Sequence, residues 1–232
     1  MRTLAGKTAI VTGASRGIGR AIAQQLADAG ASIGLIARGA ASLAQVARDL
    51  EARGARAAIS IADVADANAV NAAAASLRAA LGPADILVNN AGAVLRKPLF
   101  DTSDAEWRRI LAVNLDGTFH AIRAFGPDLA ARRGRIINIA SIAGRQGTAM
   151  LSAYCAAKHA VVGLTRGLAE ELRGSGVCVN AVCPGSVDTE MLAEGMPEAT
   201  PAMSPDDIAR TVLFLAAAAP AALTGACIDV FG

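Results

Sequence analysis

The sequence lacks an excess of charge of either sign. Its 22 lysines and arginines nearly balance its 20 aspartates and glutamates, which leaves a formal net charge of +2, and like charges form no runs. Binding to a phosphate backbone needs a clustered basic excess. We therefore expect no nucleic-acid partner.

Long apolar segments are also missing. The longest, Val212 to Leu223, is interrupted by Pro220 and is shorter than the roughly 18 residues that span a bilayer. The N-terminal segment MRTLAGKTAIVTG reaches glycine and polar residues before any signal-like apolar region develops. We expect no membrane association and a cytoplasmic protein.

Cysteine and histidine are sparse and do not form a metal motif. The sequence contains four cysteines and two histidines: Cys155, Cys178, Cys183, Cys227, His120 and His159. They show no CxxC spacing, so the sequence predicts neither a zinc site nor a redox pair. We expect no metal, and we interpret the cysteines as buried structural thiols, because free cysteine behaves as a small hydrophobic residue.

Hydrophobic residues, by contrast, are abundant and regularly arranged. They make up 53% of the chain, and short β-branched runs alternate with longer segments rich in alanine and leucine. The runs predict strands at 8–12, 32–37, 56–61, 85–89, 135–140, 177–182 and 226–230. The longer segments predict helices at 17–29, 41–53, 66–80, 104–124, 153–173 and 205–217.

This alternation indicates an α/β fold. Connections long enough for right-handed crossovers predict a doubly wound parallel sheet with helices on both faces. No Gly/Ser-rich or Pro-rich linker divides the chain, so we expect one domain over residues 1–232. In such sheets ligands bind at the carboxyl ends of the strands, and that edge is where we expect the chemistry.

A glycine-rich loop follows the first predicted strand. In TGASRGIGRAIA, three glycines, Gly13, Gly17 and Gly19, lie where the strand must turn into a helix. Glycine lets the backbone approach a pyrophosphate, and the helix N-terminus supplies amide donors. The loop is typical of a nucleotide-phosphate site, although its spacing is G-x3-G-x-G and turn chemistry alone is the alternative.

The end of the second predicted strand indicates which dinucleotide binds. An NAD site usually has an acid there, which bonds the ribose 2′-hydroxyl. No acidic residue lies between Asp28 and Asp49, and Arg38 stands in that place. Because arginine can pair with a 2′-phosphate, we expect NADP(H), with Arg16 as a second cation and NAD(H) as the weaker alternative. The competing interpretation is a solvated loop arginine.

The segment SAYCAAKHA contains Tyr154 and Lys158 four positions apart. On a helix these side chains share one face, with Cβ atoms roughly 5–6 Å apart. An adjacent ammonium favours the phenolate, so we expect Lys158 to lower the tyrosine pKa and prepare a proton donor.

Together these motifs resemble the short-chain dehydrogenase/reductase family. The resemblance rests on the glycine loop, NNAG at 89–92, Asn114 in VNLDGTF, Ser141 after RIINIA, Tyr154-x3-Lys158, and Pro184-Gly185 with Thr189. The motifs occur in the family's order, and the pattern is closest to 3-oxoacyl-acyl-carrier-protein reductases. The resemblance implies a seven-stranded Rossmann-type sheet.

The resemblance also implies an Asn-Ser-Tyr-Lys tetrad. Ser141 would bond the substrate carbonyl, Tyr154 would donate the proton, Lys158 would hold the nicotinamide ribose, and Asn114 would position a water. The expected cofactor contacts are Gly13, Ser15, Arg16, Gly17, Ile18, Gly19, Arg38, Asp63, Val64, Asn90, Ala91, Gly92, Tyr154, Lys158, Pro184, Gly185, Val187 and Thr189.

The sequence therefore predicts an NADP(H)-dependent oxidoreductase that moves a hydride between nicotinamide and a carbonyl or secondary alcohol. A 3-oxoacyl thioester is one candidate substrate; small ketones, sugars and other alcohols are the alternatives. A non-catalytic nucleotide sensor is the alternative from another class.

Two further expectations concern partners and substrate access. The resemblance implies a homodimer or homotetramer, and Arg132, Arg133 and Arg173 could meet an acyl carrier protein, although arginines at helix ends commonly serve as caps. The segment from Thr189 to Ser204 is shorter than the family's usual lid. We expect an open site that discriminates weakly among carbonyl substrates.

Overall fold

A computed structural model describes residues 3–232, and within them seven strands form one sheet. The strands are β1 (Thr8–Thr12), β2 (Ser32–Ala37), β3 (Ala57–Ile61), β4 (Ile86–Asn89), β5 (Arg135–Ile139), β6 (Cys178–Pro184) and β7 (Cys227–Val230). All neighbouring strands are parallel, in the order β3-β2-β1-β4-β5-β6-β7. The predicted seven-stranded parallel sheet is confirmed, and each strand lies within two residues of its predicted bounds.

Helices connect the strands. They are α1 (Gly17–Asp28), α2 (Ala40–Ala52), α3 (Ala67–Leu81), α4 (Asp104–Leu111), α5 (Gly117–Arg132), α6 (Ser152–Glu171), α7 (Glu190–Gly195) and α8 (Pro205–Ala217). Ser103 and Ser204 begin α4 and α8 with capping boxes, in which serine and the acidic residue three positions later satisfy each other's backbone amides. These local signals explain why both helices begin at their predicted positions.

The helix predicted over 104–124 differs from the observed structure. It consists of α4, a π-helical turn over Ala112–Asp116, and α5, which continues past Pro127 to Arg132. Tertiary contacts hold this extension: Asp128 accepts Arg78 Nε at 2.9 Å, and Leu129 is buried in the core. These contacts outweigh the helix-breaking tendency of Pro127.

Each face of the sheet is covered by its own helices. Along β1, Ala9 and Val11 join the core formed with α1, α2 and α8, whereas Ile10 joins the core formed with α3 and α5. Alternate residues of a strand point to opposite faces, so a fully apolar strand is buried on both sides. This burial explains the continuous apolar runs in the sequence.

The strand order reverses at β1 and β4. The chain winds outward from β1 through β2 to β3, then returns to β4 on the other side of β1. This reversal opens a crevice at the carboxyl ends of β1 and β4, the usual ligand position in such sheets. Among residues 3–232, no helix has the length and apolar character needed to cross a membrane.

Candidate active site

The glycine loop, which connects β1 to α1, forms one wall of the crevice. Gly13 and Gly17 have φ angles of 64° and 52°, which glycine adopts without steric cost. A methyl group at Gly13 would lie 2.8 Å from Ala91 Cα, and one at Gly19 would overlap Gly13 O and the Asn90 side chain. Close packing of the loop against the segment after β4 therefore requires glycine at both positions. Ile18 of the same loop lines the adjoining cavity.

Thr12 ties this loop to the segment after β4. Its Oγ1 accepts the backbone N–H groups of Asn90 and Ala91 at 3.0 and 3.1 Å. Asn90 Nδ2 in turn donates to Thr12 O and Gly13 O, both at 3.1 Å. Thr12 thus positions two expected cofactor contacts. The sequence motif contained this residue, but its positioning role follows only from the contacts.

Arg38 and Asp63 lie together at the ends of β2 and β3. Arg38 is 76% exposed, and its Nη1 lies 3.7 Å from Asp63 Oδ2. Asp63 Oδ1 accepts the Ala65 backbone N–H at 3.0 Å, which orients the carboxylate. The Val64 side chain, unlike those of Arg38 and Asp63, is buried in the core. It packs against α5 so closely that a Cβ at Gly117 would lie 2.6 Å from it. Only the backbone of Val64 remains available as a cofactor contact.

Asn114 lies in the π-helical turn between α4 and α5 and is almost fully buried. Its Nδ2 donates to Ala93 O at 2.8 Å and to Ile110 O at 2.9 Å. Its Oδ1 accepts the Ala93 N–H at 3.3 Å. A π-helical turn widens the helix locally and often marks a functional position. Here it directs Asn114 toward the loop after β4.

Ser141, Tyr154 and Lys158 lie on the opposite wall. Ser141 follows β5, and its Oγ accepts the Ala143 N–H at 3.1 Å. Lys158 Nζ donates to Ile139 O at 2.8 Å and lies 5.6 Å from the centre of the Tyr154 ring. A methyl group at Gly92 would lie 2.9 Å from Asn114 Oδ1 and 3.7 Å from Lys158 Nζ. Asn114 and Lys158 therefore converge on Gly92.

Burial dominates the electrostatics of the tyrosine and lysine. It raises the pKa of Tyr154 to about 12, although the Ser141 hydroxyl bonded to it acts in the opposite direction. Burial also lowers the pKa of Lys158 to about 8. The expectation that Lys158 lowers the tyrosine pKa is wrong for the protein alone, because desolvation of the phenolate outweighs its neighbours.

The segment after β6 completes the crevice. Pro184, Gly185, Val187 and Thr189 all line one cavity together with Ser141 and Tyr154. Thr189 Oγ1 accepts the Leu192 N–H at 3.3 Å and so begins α7. Thr189 also lies beside the glycine loop, since a methyl group at Gly17 would be 3.3 Å from its Cγ2.

Helix α7 lines one side of the cavity, and the sequence did not predict this helix. Its Glu190 forms an ion pair with Arg16 of the glycine loop, and its last residue, Gly195, packs against Val94. Arg96 Nη1 donates to Gly195 O at 3.4 Å from the rim. The cavity beside it has a volume of about 110 Å³. This six-residue helix is the only lid-like element between Thr189 and Ser204, and the expectation of weak discrimination among carbonyl substrates stays a prediction.

The structure thus gathers most of the expected site residues along one edge of the sheet. The missed features are the apolar cavity lining on α7 and in the loops around it, including Val94, Leu151, Met191 and Met196. Isolated apolar residues in loops have no sequence signal that separates cavity lining from core.

The sheet order, glycine cradle and Ser-Tyr-Lys cluster define an oxidoreductase that uses a nicotinamide dinucleotide. Comparison with known proteins supports the same class. Residues 7–199 match the family described as short chain dehydrogenase. The chain belongs to this family and is an NAD(P)-dependent oxidoreductase.

Two relatives show how varied the family's substrates are. The chain is 44% identical over 244 residues to galactitol 2-dehydrogenase (L-tagatose-forming) from Cereibacter sphaeroides, covering 99% of this chain and 95% of that protein. It is 39% identical over 241 residues to a 3-oxoacyl-[acyl-carrier-protein] reductase from Pseudomonas aeruginosa, covering 99% and 98%. These names include both a polyol and a carrier-bound acyl group, so they leave the substrate open.

Solved structures match equally well. A protein from Beutenbergia cavernae, named as an NAD(P)-dependent gluconate 5-dehydrogenase and containing NADP at low occupancy, aligns with a TM-score of 0.91 at 39% identity over 98% of this chain and 96% of that one. Carveol dehydrogenase from Mycobacterium avium, in complex with NAD, aligns with a TM-score of 0.92 at 31% identity over 99% and 97%. These neighbours support a nicotinamide cofactor without choosing between NAD and NADP.

Proposed function

We propose that this protein is an NADP(H)-dependent enzyme that interconverts a ketone and a secondary alcohol at Tyr154. The observation that carries the proposal is a single cavity lined by Tyr154 and Ser141, with Lys158 beside the tyrosine and the glycine cradle at its edge. The sensor alternative has no use for a buried tyrosine and lysine held together at this position.

The cofactor fits the residues that are present. Gly13 and Gly19 pack too closely against neighbouring atoms to be replaced by larger residues, and the N-terminus of α1 beside them would direct its amides at a pyrophosphate. Asn90, Ala91 and Gly92 would line the ribose side, and Pro184 to Thr189 would face the nicotinamide. When bound, the nicotinamide supplies a hydride to a carbonyl carbon, or accepts one from an alcohol.

The protein's own residues handle the proton. In reduction, Tyr154 donates its phenolic proton to the carbonyl oxygen as that oxygen gains the electron pair of the C=O bond. A pKa of about 12 means that this proton is present at neutral pH. Ser141 lies beside the tyrosine and donates a hydrogen bond to the same oxygen, which stabilises its developing charge. The alcohol forms when the proton is transferred.

Lys158 and Asn114 would return the proton that Tyr154 gives up. Lys158 Nζ lies 5.6 Å from the Tyr154 ring centre, where an ammonium would stabilise the phenolate left after transfer even though burial keeps the net pKa of the tyrosine high. With a pKa of about 8, Lys158 is mostly protonated at neutral pH and would have a proton to return. Asn114 Oδ1 lies close to Lys158 Nζ across Gly92, so a water between them would return a proton to the lysine. In alcohol oxidation the same groups act in reverse.

The preference for NADP(H) rests on cations at the expected position of the 2′-phosphate. Arg38 is exposed at the end of β2, and its only nearby acid among the described residues, Asp63, is 3.7 Å away. Arg16 is exposed in the adjacent loop, where it pairs with Glu190. Neither pair is buried, so a phosphate can compete for both guanidinium groups.

A cofactor-oxidation assay tests the function. Purified protein is mixed with NADPH or NADH and a series of ketones, and loss of the reduced cofactor is followed. We expect turnover with NADPH, and weaker turnover with NADH. Cofactor binding in calorimetry without oxidation by any ketone, or of any alcohol in the reverse direction, would refute the proposal in favour of a sensor.

We also propose a homo-oligomer. Helix α6 leaves Ala156, Gly163 and Gly167 exposed, and Phe100 and Phe119 are large exposed apolar residues elsewhere in the chain. Exposed apolar groups of this kind commonly mark an interface. Light scattering should give a dimer or tetramer mass at micromolar concentration; a monomer alone would contradict this.

The acyl-carrier-protein partner has less support. Arg132 already pairs with Asp85 at 3.1 Å, and Arg173 with Glu170. Arg133 has a φ of 51° at the end of α5, as expected of a capping residue. Carrier-bound acyl groups therefore remain a second proposal, supported by the relative's name and by no dedicated cation that we identify.

A further inference from the structure

The substrate side of the cavity is almost entirely hydrocarbon and thioether. Ile18, Pro184, Gly185, Val187 and Thr189 are expected cofactor contacts, and removing them from the lining leaves the surface that a substrate would meet. Its larger side chains are Val94, Ile142, Leu151, Met191, Leu192 and Met196. Apolar groups thus surround the proton donor.

The surroundings of Tyr154 itself are also apolar. Tyr154, Ala143 and Leu151 belong to one buried cluster, against which Val94 and Met196 pack. Tyr154 is only 8% exposed, and burial is the main cause of its raised pKa. A substrate that brings its carbonyl to Tyr154 must therefore place the neighbouring parts of the molecule among these side chains.

Charged groups stay outside this lining among the described residues. Arg96 donates to Gly195 O at the last residue of α7, and Arg145 is paired with Asp229 at 3.1 Å. Lys158 is bound to Ile139 O beneath the tyrosine. A substrate carboxylate in the cavity would have no cation to meet, and burying an unpaired charge is costly.

Polar side chains are nearly absent as well. Apart from Ser141 and Tyr154, which act on the carbonyl, Thr148 and Ser186 are the polar side chains left in the lining among the described residues. A polyhydroxylated ketone would leave most of its hydroxyl groups without partners, and each such group lowers binding by about tenfold. Hydrocarbon groups gain about fourfold per buried methylene, equivalent to about 0.8 kcal/mol.

We propose that the substrate is an uncharged ketone, or the matching secondary alcohol, whose carbonyl is flanked by hydrocarbon on both sides. This inference rests on the proposed function and selects among the chemistries named for its relatives: it disfavours polyols and sugar acids. Met191 and Met196 would set the specificity, since flexible thioethers adapt to differently shaped apolar groups.

A matched substrate series tests the proposal. An alicyclic ketone, a ketohexose and a keto-sugar acid are compared as substrates with NADPH. We expect kcat/KM for the alicyclic ketone to exceed both others by about 100-fold or more, as the unpartnered hydroxyls and carboxylate predict. A ketohexose or sugar acid reduced as well as the alicyclic ketone would overturn the inference and leave the proposed function standing.

Variants locate the preference in the lining. Met191→Gln should lower kcat/KM for the alicyclic ketone by about tenfold and reduce its advantage over the ketohexose, because an amide replaces a thioether. Met150→Gln is the matched control, since Met150 lies outside the lining and is 37% exposed. Equal effects of the two substitutions would argue against a specificity role for Met191.

Binding separates this inference from the proposed function. Calorimetry with the alicyclic ketone and the ketohexose, each titrated into the cofactor-saturated Tyr154→Phe variant, should detect only the ketone, because the lining is unchanged. If wild-type protein binds the ketone in this way but turns over nothing, the proposed function fails while the cavity preference stands. Tighter binding of the ketohexose would overturn the preference directly.

Discussion

Replacing Lys158 by methionine should stabilise the fold while abolishing turnover. Lys158 is 4% exposed, and burial lowers its pKa from 10.5 to about 8. Its charged form is therefore less favourable in the folded protein than in the unfolded chain. Methionine has a stem of similar length, so it can keep the packing without carrying the charge.

The magnitude follows from the pKa. One pKa unit corresponds to about 1.4 kcal/mol, so the buried ammonium costs about 3 kcal/mol of folding free energy at neutral pH. Methionine removes that cost, but Ile139 O loses the hydrogen bond from Lys158 Nζ, which is worth about 1 kcal/mol. The expected net gain is about 2 kcal/mol, or about 5 °C in Tm for a chain of this size.

The stability gained by Lys158→Met should fall as the pH rises. Because the folded pKa is the lower one, the cost is fully present below about pH 8 and fades as pH rises toward the unfolded value of 10.5. The advantage of Lys158→Met should therefore be largest near pH 7 and shrink by about pH 10. Urea unfolding of both proteins at each pH, followed by circular dichroism, measures it.

A partly exposed lysine provides the control. Lys97 bonds both carboxylate oxygens of Glu106 at 2.9 Å and keeps 35% of its side chain exposed. Lys97→Met should lose up to about 1 kcal/mol, with no gain at neutral pH. If Lys158→Met were less stable than wild type at neutral pH, or if its advantage grew with pH, the argument from burial would be refuted.

Two other substitutions probe the proposed chemistry. Tyr154→Phe should lower kcat at least about 10³-fold and change the NADPH Kd less than about twofold, because only the transferable proton is lost; Ser152→Ala on the same helix is the hydroxyl-deletion control in the same assay, and half of wild-type turnover in Tyr154→Phe would identify another acid. Arg38→Asp should shift the ratio of NADPH to NADH affinity toward NADH by about tenfold or more in calorimetry, because a carboxylate repels a 2′-phosphate and accepts a 2′-hydroxyl; an unchanged ratio would remove Arg38 from cofactor selection.

The sheet could be predicted because its determinants are local. Strands buried on both faces, such as TAIVT at β1 and ILVN at β4, read as short apolar runs wherever they occur. The positive φ angles at Gly13 and Gly17 demand glycine at those positions, so the loop is visible as a motif. The spacing of Tyr154 and Lys158 likewise places both on one face of α6.

Other features depended on contacts between distant segments. Asn114 is oriented by a π-helical turn, and its amide donates to Ala93 O, 21 residues earlier in the chain, and to Ile110 O. Helix α5 passes Pro127 because Asp128 and Arg78 hold the following turn. Local propensity gives no information on such partners, since they come from elements far apart in the chain.

By itself, the sequence determined where the strands lie, which glycines form the loop after β1 and which residues are candidates for the site. Only the tertiary structure decided their environment. Tyr154 has a raised pKa because other segments exclude water from it, and α7 lines the cavity with its two ends beside Arg16 and Val94. Desolvation is a property of everything packed around a group, so it appears only once the chain has folded.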